Sequence, residues 1–312
     1  MSSVPVLTAQ DVERAVSPAA AVEAVREAFI AHYRGEWTMP PKVYVTNYPA
    51  GDFRAMPALG AGHALLKWVT SFPGNPALGL PTVSGVVLVS NAETGELEAV
   101  LEAGAVTALR TGAAAVLAAE TLGRANAASA AVIGAGVNGR AALRTFVARG
   151  RTASIWDVDA GRAATAALEV GCMTAPSLEA ALAADLVVTV TPGHEVLFAE
   201  DSLQPGQHVS LMGADGPGKA EIAARELART RVFCDDWEQA SHGGELAHAV
   251  QEGLVGESDV GRIGEVLAGA AEGRRSDDEI TTFDSTGLAI QDLAIALAAL
   301  ANAPSDVAQI EL

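Results

Sequence analysis

Four basic side chains occur in or beside otherwise apolar stretches of the first third of the chain: Lys42, Arg54, Lys67 and Arg110. Lys67 shares one face of a strand-like run with Leu65 and Val69, which are both apolar. An inward-facing ammonium there would need a partner, whereas the simpler alternative is a surface lysine whose stem lies along apolar residues. Cations that converge on one cleft would bind a small carboxylate, and Arg would do so through two hydrogen bonds.

Lysine is rare in this chain, which makes each lysine informative. Only three of the 20 basic residues are Lys, and the rest are Arg. The two side chains differ because an ammonium releases its proton more readily than a guanidinium does. A lysine retained at an apolar position, such as Lys67, suggests a need for that chemistry, although chance retention is the alternative.

An acid follows a buried-strand pattern in the stretch LMGADGPGK (211–219). The apolar run ends in a cluster of Gly and Pro, and Asp215 lies within that cluster. A turn Asp usually caps its own backbone. However, nucleotides bind at the carboxyl ends of parallel strands, so we expect Asp215 to face the nicotinamide of a dinucleotide.

The segment AAVIGAGVNGRAAL contains a G-x-G-x-x-G motif at Gly134, Gly136 and Gly139, between a predicted strand and a predicted helix. These glycines allow a tight turn and a close approach of the backbone to a pyrophosphate, which the helix N-terminus then faces. Asp157 ends the next strand, 23 residues after Gly134, and is expected to accept hydrogen bonds from the ribose hydroxyls. A carboxylate there favours NAD over NADP, and Asp159 is the competing candidate for this role.

The pattern of elements divides the chain into two parts. Helices are predicted over 8–34 and 107–123, and between them short strands at 42–48, 53–59, 64–72, 82–90 and 97–104 predict an antiparallel sheet. From about residue 128, strands alternate with helices, which indicates a doubly wound parallel sheet; residues 237–272 are predicted to be helical, and a last helix closes the chain. We therefore expect an α/β fold with a Rossmann domain (113–287) and an α+β substrate-binding and dimerisation domain (1–112 plus the C-terminal helix, about 288–312).

Composition argues against several classes of function. The formal net charge of −18 and the absence of basic runs disfavour binding to nucleic acid or to an anionic membrane. Two cysteines and six scattered histidines predict neither a disulfide framework nor a metal site. We find no apolar run that is expected to span a bilayer and no signal-like N-terminus, so the sequence predicts a soluble, cytoplasmic protein.

Several segments together carry a family resemblance: VLEAGAVTALRTGAAA, KWVTSFPGNPALGLPTV, GADGPGK and FDSTGLAIQD. They resemble the ornithine cyclodeaminase/μ-crystallin family over nearly the whole chain, and DDWEQASHGGEL with IGEVLAG looks most like its archaeal-type alanine dehydrogenase branch. The resemblance implies a homodimer formed through the antiparallel sheet. It also implies an NAD-binding Rossmann domain and hydride transfer at the α-carbon of an amino acid or imine.

The resemblance also assigns roles to individual residues. Lys67 resembles the family's active-site lysine, Arg110 its substrate-carboxylate arginine, and Asp215 the acid beside the nicotinamide. Lys42 stands where the family usually has Arg. Arg54 stands where the cyclodeaminases carry a Glu that holds the distal amine of ornithine, which disfavours ornithine as the substrate. The motifs and the resemblance together predict these cofactor contacts: Thr111, Gly134, Gly136, Val137, Asn138, Gly139, Asp157, Thr191, Met212, Gly213, Ser285 and Thr286.

The expected activity is that of an NAD-dependent amino-acid oxidoreductase that converts L-alanine, NAD and water into pyruvate, ammonia and NADH, reversibly. Lys42, Arg54 and Arg110 would bind the substrate carboxylate, Lys67 would polarise the substrate oxygen, and Asp215 would exchange protons with the amine and water. The alternatives are an ornithine cyclodeaminase, a cyclic-imine reductase, and a μ-crystallin-like NAD(H)-binding protein with little turnover.

Overall fold

The computed structural model describes residues 3–193, 195–214, 216 and 218–311 of the 312-residue chain. Two compact units are formed, the first from residues 1–110 and 288–312 and the second from residues 111–287. One boundary falls inside a long helix, and the other falls just before the last helix.

A seven-stranded sheet forms the basis of the first unit. Its order is β15-β1-β6-β5-β4-β3-β2, and all neighbours are antiparallel except the parallel pair β1–β6. The strands are β1 (Ser3–Leu7), β2 (Val43–Asn47), β3 (Gly51–Gly60), β4 (His63–Ser71), β5 (Val83–Asn91), β6 (Leu97–Glu102) and β15 (Ala308–Glu311). The helices that begin in this unit are α1 (Ala9–Ala15), α2 (Pro18–Tyr33), α3 (Ala103–Leu122) and α11 (Ala289–Ala301).

The terminal strands β1 and β15 were not predicted. Both are short, and β15 is exposed along its whole length, so neither has the alternation of buried and exposed residues that marks a strand in sequence. The helical segment predicted over 8–34 forms as two helices: Thr8 caps α1 and Ser17 caps α2, with Pro18 in the first helical position.

The long helix α3 begins at Ala103, four residues before the predicted start, and strand β6 ends correspondingly earlier. The reason is Glu102, whose carboxylate accepts hydrogen bonds from the backbone N–H groups of Gly104 and Ala105, both at 2.7 Å. The side chain thus satisfies the first free donors of the helix. Arg110 consequently lies about two turns into α3.

Helix α3 also contradicts the expectation that no apolar segment could span a bilayer. Its 20 residues are long and apolar enough for that by length and composition alone. In the structure 67% of an 18-residue window of this helix is buried, as in a core helix of a folded protein.

Strand β4 shows that one face of the sheet is buried and the other is partly exposed. Leu65, Lys67 and Val69 point inward and are 2%, 1% and 7% exposed, as the alternation predicted. Leu66 and Trp68 point outward and are each 38% exposed. The outward face continues on neighbouring strands, so that the sheet presents an exposed apolar surface, here called the outer face, which includes Val43, Val45, Leu66, Trp68 and Val86.

The second unit is a Rossmann-type parallel sheet of eight strands in the order β13-β12-β14-β11-β10-β7-β8-β9. The strands are β7 (Ala130–Ile133), β8 (Ser154–Trp156), β9 (Met173–Thr174), β10 (Leu186–Thr189), β11 (His208–Leu211), β12 (Arg231–Cys234), β13 (Gly261–Arg262) and β14 (Thr281–Asp284). The helices are α4 (Val137–Ala148), α5 (Ala160–Val170), α6 (Leu178–Leu182), α7 (Ala224–Ala228), α8 (Trp237–Gly243), α9 (Leu246–Gln251) and α10 (Ile263–Leu267).

The stretch 237–272 is less helical than predicted, because the short strand β13 and a 3-10 turn at Glu257–Asp259 interrupt it. The fold class itself is as predicted: a doubly wound parallel sheet and a separate, mainly antiparallel sheet. Polar and glycine-rich segments follow the carboxyl ends of β7, β8, β10, β11, β12 and β14, and these segments hold most of the predicted cofactor contacts.

Candidate functional site

A buried ion cluster in the first unit centres on Lys67. Its Nζ donates a hydrogen bond of 2.9 Å to Oδ1 of Asp292, and both side chains are almost completely buried. The Nε of Arg110 lies 3.5 Å from the same carboxylate oxygen. Burial lowers the pKa of Lys67 to about 8; Asp292 opposes this shift, whereas Arg110 and Arg54 add to it. An ammonium in this position can both donate a hydrogen bond and release a proton near neutral pH.

In the described part of the first unit, the buried polar atoms without a hydrogen-bond partner all belong to this cluster or to the neighbouring Gln291. Among the described residues of the first unit they are Nε of Arg110, Nε2 of Gln291 and Oδ2 of Asp292. The Oε1 of Gln291 accepts hydrogen bonds from the backbone N–H of Leu288 (3.2 Å) and from Nη1 of Arg110 (3.5 Å), which leaves its Nε2 as a donor. An unsatisfied buried group costs about 1–3 kcal/mol, so three such atoms close together are consistent with a site that binds a polar ligand.

Arg54 lies on the inward side of β3 and is held by Asp52. Its Nε and Nη2 donate to the two carboxylate oxygens at 2.6 and 3.3 Å, and its guanidinium lies 5.4 Å from the ring centroid of Tyr44. Asp52 was not anticipated in the sequence, yet it balances the charge of Arg54. Lys42, just before β2, is half-buried.

In the second unit, the glycine-rich loop after β7 has the shape that a pyrophosphate requires. Gly134 has a φ of +105°, and a Cβ on Gly139 would lie 1.7 Å from the carbonyl oxygen of Gly134. A Cβ on Gly136, in contrast, would meet nothing closer than a side-chain atom of Arg162 at 3.9 Å. Gly136 also begins helix α4 without any side-chain cap, so the first backbone N–H groups of this helix remain available to an anion.

The chain after β8 provides the adenosine side of the predicted site. Asp157 is 8% exposed, and its two carboxylate oxygens accept hydrogen bonds from the backbone N–H groups of Ala135 (2.6 Å) and Asp159 (2.9 Å). Asp159 caps helix α5, which leaves Asp157 as the carboxylate beside the glycine-rich loop. Two apolar side chains flank this region in exposed positions: Val137 is 70% exposed and Val158 is 85% exposed. Apolar residues so placed could cover the flat faces of a nucleotide. Asn138 is half-buried beside them.

One buried carboxylate joins the segments that follow β10 and β11. Glu221 accepts hydrogen bonds from the hydroxyl of Thr189 (2.6 Å), from the N–H and hydroxyl of Thr191 (2.9 and 2.6 Å) and from the N–H of Gly213 (3.0 Å). It therefore fixes two of the predicted cofactor contacts, and Met212 lies buried between them in the chain. Asp215, two residues beyond Gly213, lies outside the described residues.

The last predicted cofactor contacts follow β14 and are organised by Asp235. Its carboxylate accepts hydrogen bonds from the hydroxyls of Ser285 and Thr286, both at 3.1 Å, and from the N–H of Gly287 at 2.9 Å. Thr111, on α3, is 3% exposed, and its hydroxyl has no partner among the described residues. Three of these predicted contacts are thus buried hydroxyls, two of which already donate to a carboxylate.

Sequence reasoning missed Asp52, Glu221, Asp235, Gln291 and Asp292. Asp292 had a detectable signal, because it is the single charged residue in the apolar helix AIQDLAIALAALA. The other acids follow no pattern that sets them apart from surface acids. Among the described residues, no group of three or more His, Cys, Asp or Glu is arranged to hold a metal ion.

Substitution of two glycines should separate folding from cofactor binding. We expect Gly139→Ala to lower the thermal midpoint by about 4 °C or more, since its Cβ would collide with the backbone of Gly134. We expect Gly136→Ala to leave the midpoint unchanged but to weaken NADH binding about tenfold or more, because its Cβ would point into open space at the helix start. Differential scanning fluorimetry and NADH fluorescence titration would measure the two effects. Wild-type NADH affinity in Gly136→Ala would show that the pyrophosphate does not lie there.

The buried acid Asp284 should make stability depend on pH. Burial raises its pKa from 3.8 to about 8, so between these values the folded state holds a proton that the unfolded state has lost, and the free energy of unfolding falls as pH rises. We expect the thermal midpoint of wild type minus that of Asp284→Asn to decrease as the pH rises from 5 to 8.

The matched control is Asp11→Asn. Hydrogen bonds from Thr8 and Arg14 lower the pKa of Asp11 to about 2, so its contribution is lost only below about pH 4. The difference between wild type and Asp11→Asn should therefore stay constant from pH 5 to pH 8. If the difference in thermal midpoint between wild type and Asp284→Asn also stays constant from pH 5 to pH 8, Asp284 is ionised throughout this range.

Residues 3–305 match the model of the ornithine cyclodeaminase/mu-crystallin family. The chain is 42% identical over 311 residues to an alanine dehydrogenase of Archaeoglobus fulgidus, and the match covers 96% of this chain and 95% of that protein. Among solved structures, an archaeal alanine dehydrogenase dimer with bound NAD aligns over the full length of both chains with a TM-score of 0.94 and 40% identity.

A second solved structure shows how far the fold extends to other substrates. The Δ1-pyrroline-2-carboxylate reductase of Thermococcus litoralis, in complex with NADH and L-proline, aligns over 99% of this chain and 100% of that chain, with a TM-score of 0.91 and 26% identity. The matched length and the glycine-rich loop agree with the resemblance that the sequence motifs indicated. This chain belongs to the ornithine cyclodeaminase/mu-crystallin family.

Proposed function

We propose that this protein is an NAD-dependent amino-acid dehydrogenase that interconverts L-alanine with pyruvate and ammonia. The observation that carries the proposal is the buried cluster of Lys67, Arg110 and Asp292, with its unsatisfied polar atoms. The similarity to an alanine dehydrogenase, at 42% identity over nearly the whole chain, supports the choice of substrate.

The charge of the cluster fits a monocarboxylate. Lys67 and Arg110 carry two positive charges against the single negative charge of Asp292, whereas Arg54 and Asp52 balance each other. The carboxylate of one amino acid would therefore neutralise the remaining buried charge. Arg110, whose Nε lacks a hydrogen-bond partner, would donate to that carboxylate, with Arg54 and Lys42 as further donors.

Lys67 is suited to act on the substrate oxygen. As an ammonium it can donate a hydrogen bond to the carbonyl oxygen of pyruvate, or to the hydroxyl of the carbinolamine that forms when ammonia adds. Because its pKa is about 8, it can also give up or regain a proton during the reaction. We assign to Asp215, which lies outside the described residues, the exchange of protons with the amine nitrogen and with water.

The dinucleotide residues of the second unit fit NAD. The loop of Gly134, Gly136 and Gly139 would hold the pyrophosphate, and Asp157 would accept hydrogen bonds from the ribose and disfavour an added phosphate. Thr191, Gly213, Ser285 and Thr286 would lie along the nicotinamide half. The bound cofactor supplies the acceptor and donor of the hydride at the α-carbon.

Ornithine is disfavoured as the substrate by Arg54. By the family resemblance, Arg54 stands where the cyclodeaminases carry a Glu that holds the distal ammonium of ornithine. A guanidinium would repel such an ammonium. The pairing of Arg54 with Asp52 weakens the repulsion without creating an acidic site for the amine. A short amino acid without a distal charge suits the described cluster better.

The outer face supports association of two copies of the chain. An exposed apolar surface that spans several strands is a common feature of a protein interface, and the structurally similar archaeal alanine dehydrogenase is a dimer. We propose that the protein is a homodimer formed through this surface. We also propose a cytoplasmic location, where NAD and small oxoacids are available.

The proposed activity can be tested by following NADH oxidation with a panel of substrates. We expect oxidation with pyruvate that depends on ammonia, and loss of this turnover in Asp215→Asn with NADH binding intact. Ammonia-independent turnover of pyrroline- or piperideine-2-carboxylate alone would make the protein a cyclic-imine reductase. Release of ammonia from ornithine would make it a cyclodeaminase, and bound NADH without any turnover would make it a binding protein.

The proposed dimer can be tested with a charge on the outer face. We expect light scattering to give wild type twice the 31.7 kDa mass of the chain, and Leu66→Glu to shift the protein towards the monomer, because a carboxylate would be buried in the interface. The control is Leu168→Glu, at a position in α5 of the second unit that is 85% exposed. A wild-type mass for Leu66→Glu would exclude the outer face as the interface.

A further inference from the structure

Asp292 is the one charged residue of helix α11, whose other residues are apolar apart from Gln291. Its side chain is completely buried, in a helix that packs against α2 and against strands β3, β4 and β5 of the first unit. A lone buried carboxylate in an apolar helix is strongly unfavourable unless it is paired. Asp292 therefore needs a partner of opposite charge, and Lys67 is in direct contact with it.

The two carboxylate oxygens of Asp292 differ in their hydrogen-bond partners. Oδ1 accepts the hydrogen bond from Nζ of Lys67 at 2.9 Å and lies 3.5 Å from Nε of Arg110. Oδ2 is buried and has no hydrogen-bond partner among the described residues. One oxygen thus fixes the spacing of the two cations, and the other is left to accept a hydrogen bond from a bound ligand or a water molecule.

The surroundings of Lys67 show why its charge depends on Asp292. Its cross-strand neighbours, Met56 on β3 and Val87 on β5, are apolar and buried. The other charged groups that act on its ammonium are Arg110 from α3 and Arg54 from β3, and both disfavour a second positive charge. Asp52 on β3 is engaged with Arg54. Asp292 is therefore the group that opposes burial and keeps the pKa of Lys67 at about 8.

We propose that Asp292 is a positioning residue for the reaction, which keeps Lys67 protonated and directs its ammonium to a fixed place beside Arg110. The role assigned to Lys67 rests on the proposed function, but its contact with Asp292 does not. An ammonium in this position can donate to the substrate oxygen and release a proton afterwards, which a guanidinium could not do. Asp292 would thus act through Lys67 without itself reacting.

The protonation of Lys67 can be measured directly and without substrate. The chain has only three lysines, so biosynthetic labelling with [ε-13C]lysine gives few NMR signals, and Lys67→Arg identifies the signal of Lys67. We expect Asp292→Asn to lower the titration midpoint of Lys67 by about one pH unit or more, because the amide keeps the shape but removes the opposite charge. Asp11→Asn, which also changes a carboxylate to an amide in the first unit, should leave the midpoint unchanged.

Kinetics then connect the midpoint with the reaction. We expect Asp292→Asn to lower kcat/KM at pH 7 about 100-fold or more, with the alkaline limb of its pH profile displaced to lower pH, in the same direction as the Lys67 midpoint. NADH affinity should stay at the wild-type value. Asp292→Glu, which keeps the charge but moves it, should retain a midpoint near that of wild type and lose kcat more than KM changes.

The outcomes separate this inference from the proposed function. An unchanged Lys67 midpoint in Asp292→Asn would overturn the positioning role even if the enzyme were an alanine dehydrogenase. A lowered midpoint in a protein that shows no turnover of any substrate would support the effect of Asp292 on the protonation of Lys67 and would reject the proposed function. If Asp292→Asn does not fold, Asp292→Glu decides: wild-type kcat and wild-type midpoint together would show that the position of the carboxylate does not matter.

Discussion

The burial of one ammonium is the constraint on which the proposed site of the first unit depends. Lys67 lies on the inward face of a strand between apolar neighbours, and a charge in that position is stable only with an opposite charge in contact. Asp292 provides it from a helix more than 200 residues later in the chain. The C-terminal helix must therefore return to the sheet of the first unit before the site exists, which explains why this unit is built from both ends of the chain.

The second unit also contains buried ionisable groups, but here they are acids that are stabilised by hydrogen bonds. Glu221, Asp235, Glu245 and Asp284 are buried acids, and hydrogen bonds from backbone N–H groups and hydroxyls surround them. Burial raises the pKa of Glu221, Glu245 and Asp284, so part of this cluster is neutral near pH 7. These side chains tie together the segments that follow neighbouring strands and so give a rigid shape to the loops expected to contact NAD. The acids position backbone and hydroxyl groups, and the glycine-rich loop leaves room for the pyrophosphate.

The sequence predicted what depends on local pattern and failed where contacts are distant. Strand alternation predicted that Lys67 points inward, and the glycine spacing predicted the turn between β7 and α4, because both follow from residues close in the chain. The early start of α3 was missed, since a Glu that caps a helix from the preceding strand has no distinctive pattern. The partner of Lys67 was also missed, although its need was foreseen, because nothing local links Lys67 to a helix at the other end of the chain. The contacts of these residues with substrate and cofactor are predictions.

The central claim is that a hydride reaches the α-carbon of a short amino acid whose carboxylate neutralises the cation cluster. The most direct test is to incubate the protein with pyruvate, ammonia and NADH that carries deuterium at both C4 positions, and to analyse the product by mass spectrometry. The account predicts alanine with a single deuterium, located at the α-carbon, in an amount equal to the NADH consumed. Alanine without deuterium, or consumption of NADH without alanine, would contradict it.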